Sequence, residues 1–137
     1  MSFSIFVSAF ENEGCFHIPL AELKRRFAKH IRNDEGSLWS IGFEEGQGTS
    51  EVCTDSGDMV TGFSVDRPPG SLEFWEIIAG ILRDFPCALY WPTTKQAAVI
   101  GSLDVLPHLP KEFVEVEGIP FVSTDPERIR QYVWDNS

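Results

Sequence analysis

The sequence predicts an α/β fold of the α+β kind: a mixed or antiparallel sheet with helices packed mainly on one face. Three observations point there. Phe3, Ile5 and Val7 alternate with small or aromatic residues, the period of a half-buried strand. The segments "IPLAELKRRFAKHI" and "SLEFWEIIAGILRDF" carry apolar residues at helical spacing. Short apolar runs bounded by Gly or Pro, such as "SLWSIGF", "MVTGFSV" and "CALYWP", lie between and after them. With 137 residues, 42% apolar and 23% charged, residues 1–137 have the size and balance of one domain that buries its core without staples.

Taken in order, residues 2–9 form the first strand and "ENEGC" a turn. Pro19 stands near the start of a helix over 20–33, in which Leu20, Leu23, Phe27 and Ile31 share a face. "NDEG" stops that helix at Gly36. Strands follow over 38–43 and 59–65, with a short one around Glu51 to Cys53. "DRPPG" closes this part, because two prolines cannot continue a central ladder. Ser71 caps the next helix, 71–85, whose early acids Glu73 and Glu76 suit its positive end. Residues 87–91 form a short central strand ended by Pro92, and "AAVIGS" is its partner beyond the turn "TTKQ". "LDVLPHLPKEF" reads as a helical turn plus loop. "FVEVEG" reads as a weak strand with Glu112, Glu115 and Glu117 outward. The last helix, 126–134, has two possible starts: a Thr124–Glu127 capping box, or Asp125 as cap with Pro126 first. The first six elements fit a ferredoxin-like β-α-β-β-α-β order with an additional C-terminal strand and helix, although other α+β topologies use the same elements.

Formal charge is -10, from 21 acids against 11 bases. Its distribution is uneven. Residues 44–66 hold Glu44, Glu45, Glu51, Asp55, Asp58 and Asp66 and no base, within a stretch rich in Gly, Ser and Thr. Such a surface repels phosphates and anionic membranes and favours a cationic partner, so neither nucleic acid nor a membrane is expected as a ligand. Excess acid also serves solubility alone. The only basic patch, Lys24 to Arg32, reads as a solvated helix face. Aromatic residues supply much of the energy of interfaces. Trp39, Trp91 and Phe63 are therefore candidate anchors beside the acids, Trp91 being expected at the surface next to Pro92.

No catalytic or metal-ligating pattern stands out. Cys15, Cys53 and Cys87 are far apart and odd in number, which predicts reduced thiols in the cytoplasm rather than disulfides or zinc. Cys87 heads an apolar strand and is expected in the core, where a nucleophile would lack exposure. His17, His30 and His108 have no spacing that ties one of them to Cys87. Asp55, Ser56, Gly57 and Asp58 resemble a fragment of a cation loop, but the twelve-residue calcium pattern is missing. No glycine-rich phosphate loop is present. No cofactor or metal is therefore expected. The start "MSFSIFVSAF" lacks a basic leader region, and no run approaches the ~20 apolar residues of a bilayer span.

The helix "SLEFWEIIAGILRDF", the strand "CALYWP", the late "LPKEF" and "TDPERI" and the overall acidity together resemble the immunity proteins of bacterial polymorphic-toxin systems, of the contact-dependent and type VI secretion kinds. The resemblance spans roughly residues 71–130. It implies a small cytoplasmic protein that binds a cognate toxin domain and blocks its active site or substrate path, and it carries no catalytic residue. Two other readings fit the residues: a small hydrolase or other enzyme with an acidic cleft, and a structural or regulatory module, monomeric or homodimeric.

Overall fold

The computed structural model describes residues 3–43, 48–93 and 97–137. In chain order the strands β1 (Ser4–Glu11), β2 (Gly14–Cys15) and β3 (Ile18–Pro19) lead into helix α1 (Leu20–Phe27) and a single 3-10 turn, Ala28–His30. Next come β4 (Ile31–Asp34), β5 (Leu38–Ile41), β6 (Ser50–Thr54), β7 (Met59–Val60), β8 (Gly62–Asp66) and α2 (Leu72–Asp84). β9 (Cys87–Tyr90), β10 (Ala98–Ile100), a 3-10 segment at Leu103–His108, α3 (Lys111–Glu117), β11 (Phe121–Val122) and α4 (Pro126–Asp135) complete the chain.

β1 organises the sheet. It pairs antiparallel with β8 on one side and β9 on the other, and its end folds back on β2 through a turn in which Asn12 and Glu13 take positive φ. The main sheet runs β11-β10-β9-β1-β8-β6-β5-β4, with only β10 and β11 parallel. Its middle, β9-β1-β8-β6, is the ferredoxin-like order, with β1, α1, β6, β8, α2 and β9 as the six elements. The strand beside β8 is β6. β4 and β5 are inserted after α1 and extend the sheet outward. The fold is α+β with a mixed sheet.

Ile5, Val7 and Ala9 point to one face, and α1, α2 and α4 cover it. Aromatic rings knit that layer together. Phe27 meets Trp39 at 5.2 Å and Phe74 at 6.3 Å, Phe74 meets Trp75 at 5.0 Å, and Trp75 meets Trp134 at 6.0 Å. Such tilted and edge-to-face contacts add to the burial of large apolar areas. Among the described residues, the opposite face is covered only toward β9 and β10. There Val105 and Leu109, with Phe113 and Val114 of α3, pack on Ala88, Ile100 and Phe10.

Several segments differ from the sequence expectation, each for a physical reason. α1 stops at Phe27 instead of continuing to residue 33, and Ile31–Asp34 is strand. β-branched Ile31 and the turn-forming Asn33 and Asp34 have weak helix propensity, and pairing with β5 offers them a ladder. The Asp34 carboxylate accepts the Gly36 amide at 2.9 Å, closing the turn at Gly36, whose φ is +86°. Residues 111–117 are α-helix, not strand. Pro110 precedes the first turn, Phe113 and Val114 reach the core, and Gly118 ends the helix at φ +82°. The alternation of Val114 and Val116 is misleading here, because Val116 is 79% exposed. Ser71 holds the N-cap position of α2 without a side-chain cap bond. In α4 Asp125 is the cap, accepting from the amides of Glu127 and Arg128 at 3.0 and 3.3 Å.

The bases of α1 are spent inside the molecule. Lys24 pairs with Asp34 at 2.8 Å, Arg25 with Glu22, and Arg26 with Glu22 at 3.1 Å and with Asp84 of α2 at 2.8 Å. Hydrogen bonds from Arg25 and then Arg26 hold the Glu22 carboxyl at about 2, against an ordinary 4.5. Arg83 and Arg26 likewise lower Asp84. A lowered carboxyl contributes stability above its unfolded value and loses it as pH falls through the folded one. Thermal stability is therefore expected to decline as pH drops from 4.5 toward about 2, and Glu22→Gln to flatten that decline. Thermal melts over this range provide the check.

Gly62 lies opposite Ser8 where β8 crosses β1, and a Cβ there would collide with the Val7 carbonyl oxygen. Gly62→Ala is expected to cost about 1–3 kcal/mol in urea unfolding, as overpacking does. Gly70→Ala, with open space around it, is expected to stay within about 0.5 kcal/mol of the parent.

Candidate interaction surface

Strand alternation sends every second residue away from the helices. The pairing register then sets Tyr90, Phe6, Ser64, Cys53 and Leu38 in one row across β9, β1, β8, β6 and β5. The next row on the same face is Ser4, Asp66, Glu51 and Ser40. Tyr90 and Phe6 lie at the border of the covered half, their rings stacked at 5.5 Å, and the Tyr90 and Ser8 hydroxyls are 2.9 Å apart. Beyond Phe6 no described element packs over β8, β6 and β5. Glu51, Cys53 and Asp66 are exposed, and Leu38 is 38% exposed.

Glu51 and Asp66 are direct cross-strand partners in this row. Like charges placed opposite each other on one sheet face repel, their Cβ atoms being ~5 Å apart. The local relief is slight. Ser4 Oγ donates to Asp66 at 3.2 Å, and Arg67 stands 4.0 Å from Asp66 with both side chains more than half exposed. Exposed pairs of that kind contribute little.

Between Phe6, Ser8, Ser64 and Cys53 the face sinks into a hollow of about 310 Å³, lined also by Gly62 and bounded by Thr61 and Asp55. The Asp55 carboxylate accepts the Thr61 amide at 3.0 Å and its hydroxyl at 2.7 Å, and these bonds hold its carboxyl below the ordinary range. Asp55 is thus ionised, and it shapes the turn after β6 while bordering the hollow.

Of the acids singled out in the sequence, the structure brings Glu51 and Asp66 together and sets Asp55 at the hollow beside them. Asp58 is exposed on the turn before β7, where its carbonyl accepts the Leu20 amide. Glu44 and Glu45 lie outside the described residues.

The expected aromatic anchors are corrected. Trp91 is fully buried, and its indole N–H donates to the Asn136 carbonyl at 3.0 Å, tying β9 to the end of α4. Trp39 is 2% exposed against Phe27, and Phe63 is buried too. All three point to the helix-covered face, where their large apolar area is removed from water. Phe6 and Leu38 are the large apolar side chains on the open face instead. The signal for them was in the sequence, since each neighbours a core residue on its strand (Ile5 and Val7, Trp39) and so must face the other way.

Other chemistry-bearing groups are engaged elsewhere. His30 lies 3.3 Å from Glu73 and stacks on Phe43, and His108 Nδ1 accepts the Asn12 amide at 3.0 Å. A cleft of about 530 Å³ beside β5 and β6 has Arg67 as the sole ionisable side chain of its described lining. Among the described residues no three His, Cys, Asp or Glu side chains converge as metal ligands, and no helix is long and apolar enough to cross a membrane. No protein-family model, curated protein or solved structure matches this chain.

Burial pushes the Cys87 thiol up to about 12, and its Sγ is 3.7 Å from the Ile81 carbonyl oxygen. Cys15 and Cys53 are exposed. Two thiols are therefore expected to react with a disulfide reagent in the native protein and the third only on unfolding, read by mass spectrometry. Rapid native labelling of Cys87 is the contrary result.

Proposed function

We propose that the protein is a binding inhibitor of the immunity-protein kind, acting in the cytoplasm by seating a cationic toxin domain on the uncovered half of its sheet. The supporting observation is the Glu51–Asp66 pair, two carboxylates set opposite each other on an exposed face with only weak compensation. A partner's Lys or Arg between them removes a repulsion that the free protein carries, so binding gains where folding loses. Phe6 and Leu38 supply apolar contact in the same face, and the hollow at Gly62 has the room and hydroxyl lining for an inserted side chain. The same charge opposes self-association through this face, since stacking it on a second copy doubles the acid density. Toxins that attack nucleic acid are often basic because they bind phosphates, and an acidic face competes for that surface and speeds encounter.

The test is co-expression with the protein encoded beside this chain's gene, followed by binding kinetics on the purified pair. Protection from growth arrest is expected. Glu51→Gln with Asp66→Asn should slow association and flatten its salt dependence. Leu38→Ala should act through the off-rate. Absence of binding, or kinetics untouched by the double variant at every salt concentration, overturns the proposal.

A further inference from the structure

A second surface, separate from the open half-face, lies on the outer side of the Leu103–His108 segment and α3. Leu106, Leu109, Val114 and Ile119 form the floor of a groove of about 680 Å³, whose remaining lining is Pro107, Glu13, Lys111 and Glu115. Ile119 is 72% exposed and Leu106 36%. A small-molecule site normally encloses most of its ligand, and a floor this open does not. It is the kind of surface that a partner's side chains cover.

The chemistry of the occupant follows from the rim and the walls. Glu13 and Glu115 stand on the lining with Lys111 as its lone base. Asp104 and Glu112 are exposed on the same two helical elements. The complement is apolar on one side and basic along its flanks. The walls are helical, and the nearby sheet-end strand β11 is only two residues long, too short to template an added strand. We infer that this groove docks an amphipathic helix of a partner protein, with apolar residues at i, i+3 or i+4 on Leu106 and Ile119 and Lys or Arg beside Glu13 and Glu115. The inference does not depend on the use made of the Glu51–Asp66 face.

A model amphipathic helix of Leu and Lys serves as the probe, with a Leu/Glu helix of the same pattern as control, titrated into methyl-labelled full-length protein. Shifts are expected at the methyls of Leu106, Leu109, Val114 and Ile119 with the Lys peptide and not with the Glu peptide. Ile119→Asp should weaken binding about tenfold or more, as loss of a central contact does. Because Ile119 is exposed, far-UV circular dichroism of that variant should match the parent. Glu13→Lys with Glu115→Lys should invert the peptide preference. Shifts confined to Leu38 and its neighbours, equal binding of both peptides, or concentration-dependent dimerisation that Ile119→Asp abolishes would each overturn the inference.

Discussion

The two faces of β1 set the terms for the rest of the molecule. Because side chains alternate along a strand, Ile5, Val7 and Ala9 demand a dry cover, while Ser4, Phe6, Ser8 and Phe10 face the other way. β1 has neighbours on both edges, so this division is passed by register into β8, β6 and β5 on one side and into β9 and β10 on the other. Three helices satisfy the first face. Among the described residues the second is covered where the chain returns as the Leu103–His108 segment and α3, and the half over β8, β6 and β5 stays open.

Charge follows the same asymmetry. The bases of α1 are held in pairs with Glu22, Asp34 and Asp84 at the helix layer, and Arg32 donates to the Gly42 carbonyl at 3.0 Å. These contacts strap α1 to α2 and to β4, so they serve the fold, and they remove positive charge from the competition for surface acids. Glu51 and Asp66 remain opposite each other on the open face. A sheet selected for stability alone avoids like charges in that position. These two acids lie on the same face as exposed Leu38 and part-exposed Phe6.

How much of this was legible depended on whether local pattern or distant pairing decided the outcome. α2, with Phe74, Ile78 and Ile81 on one side, and α4, with Asp125 and Pro126 at its start, follow local rules and lie where the sequence set them. The α+β class was legible from the alternation of strand and helix patterns. The insertion of β4 and β5 was not, because only pairing with Leu38–Ile41 converts Ile31–Asp34 from helix to strand. Residues 111–117 went astray since alternating Val and Glu imitate a strand, whereas the contact of Phe113 with Phe10 at 5.6 Å and Tyr90 at 5.2 Å makes helix the better cover. For the candidate site, the acidic segment was visible as composition, but the opposition of Glu51 and Asp66 exists only in the register. Trp39 and Trp91 were misread because residue type favours tryptophan at interfaces, while strand parity turned both inward.

The covering layer on the second face links the two proposed surfaces physically. α3 and the Leu103–His108 segment rest on Ala88, Ile100 and Phe10, and through Phe113 they touch Tyr90, which stacks on Phe6 at the border of the open half. The inner side of that layer is therefore buried on the sheet and its outer side carries the Leu106–Ile119 groove. Both surfaces exist because the layer is small. Any cover drawn over β8 and β6 would bury Glu51 and Asp66, a large desolvation cost for carboxylates without partners. Under the proposed function, these two acids on the open half are what a cationic surface would meet.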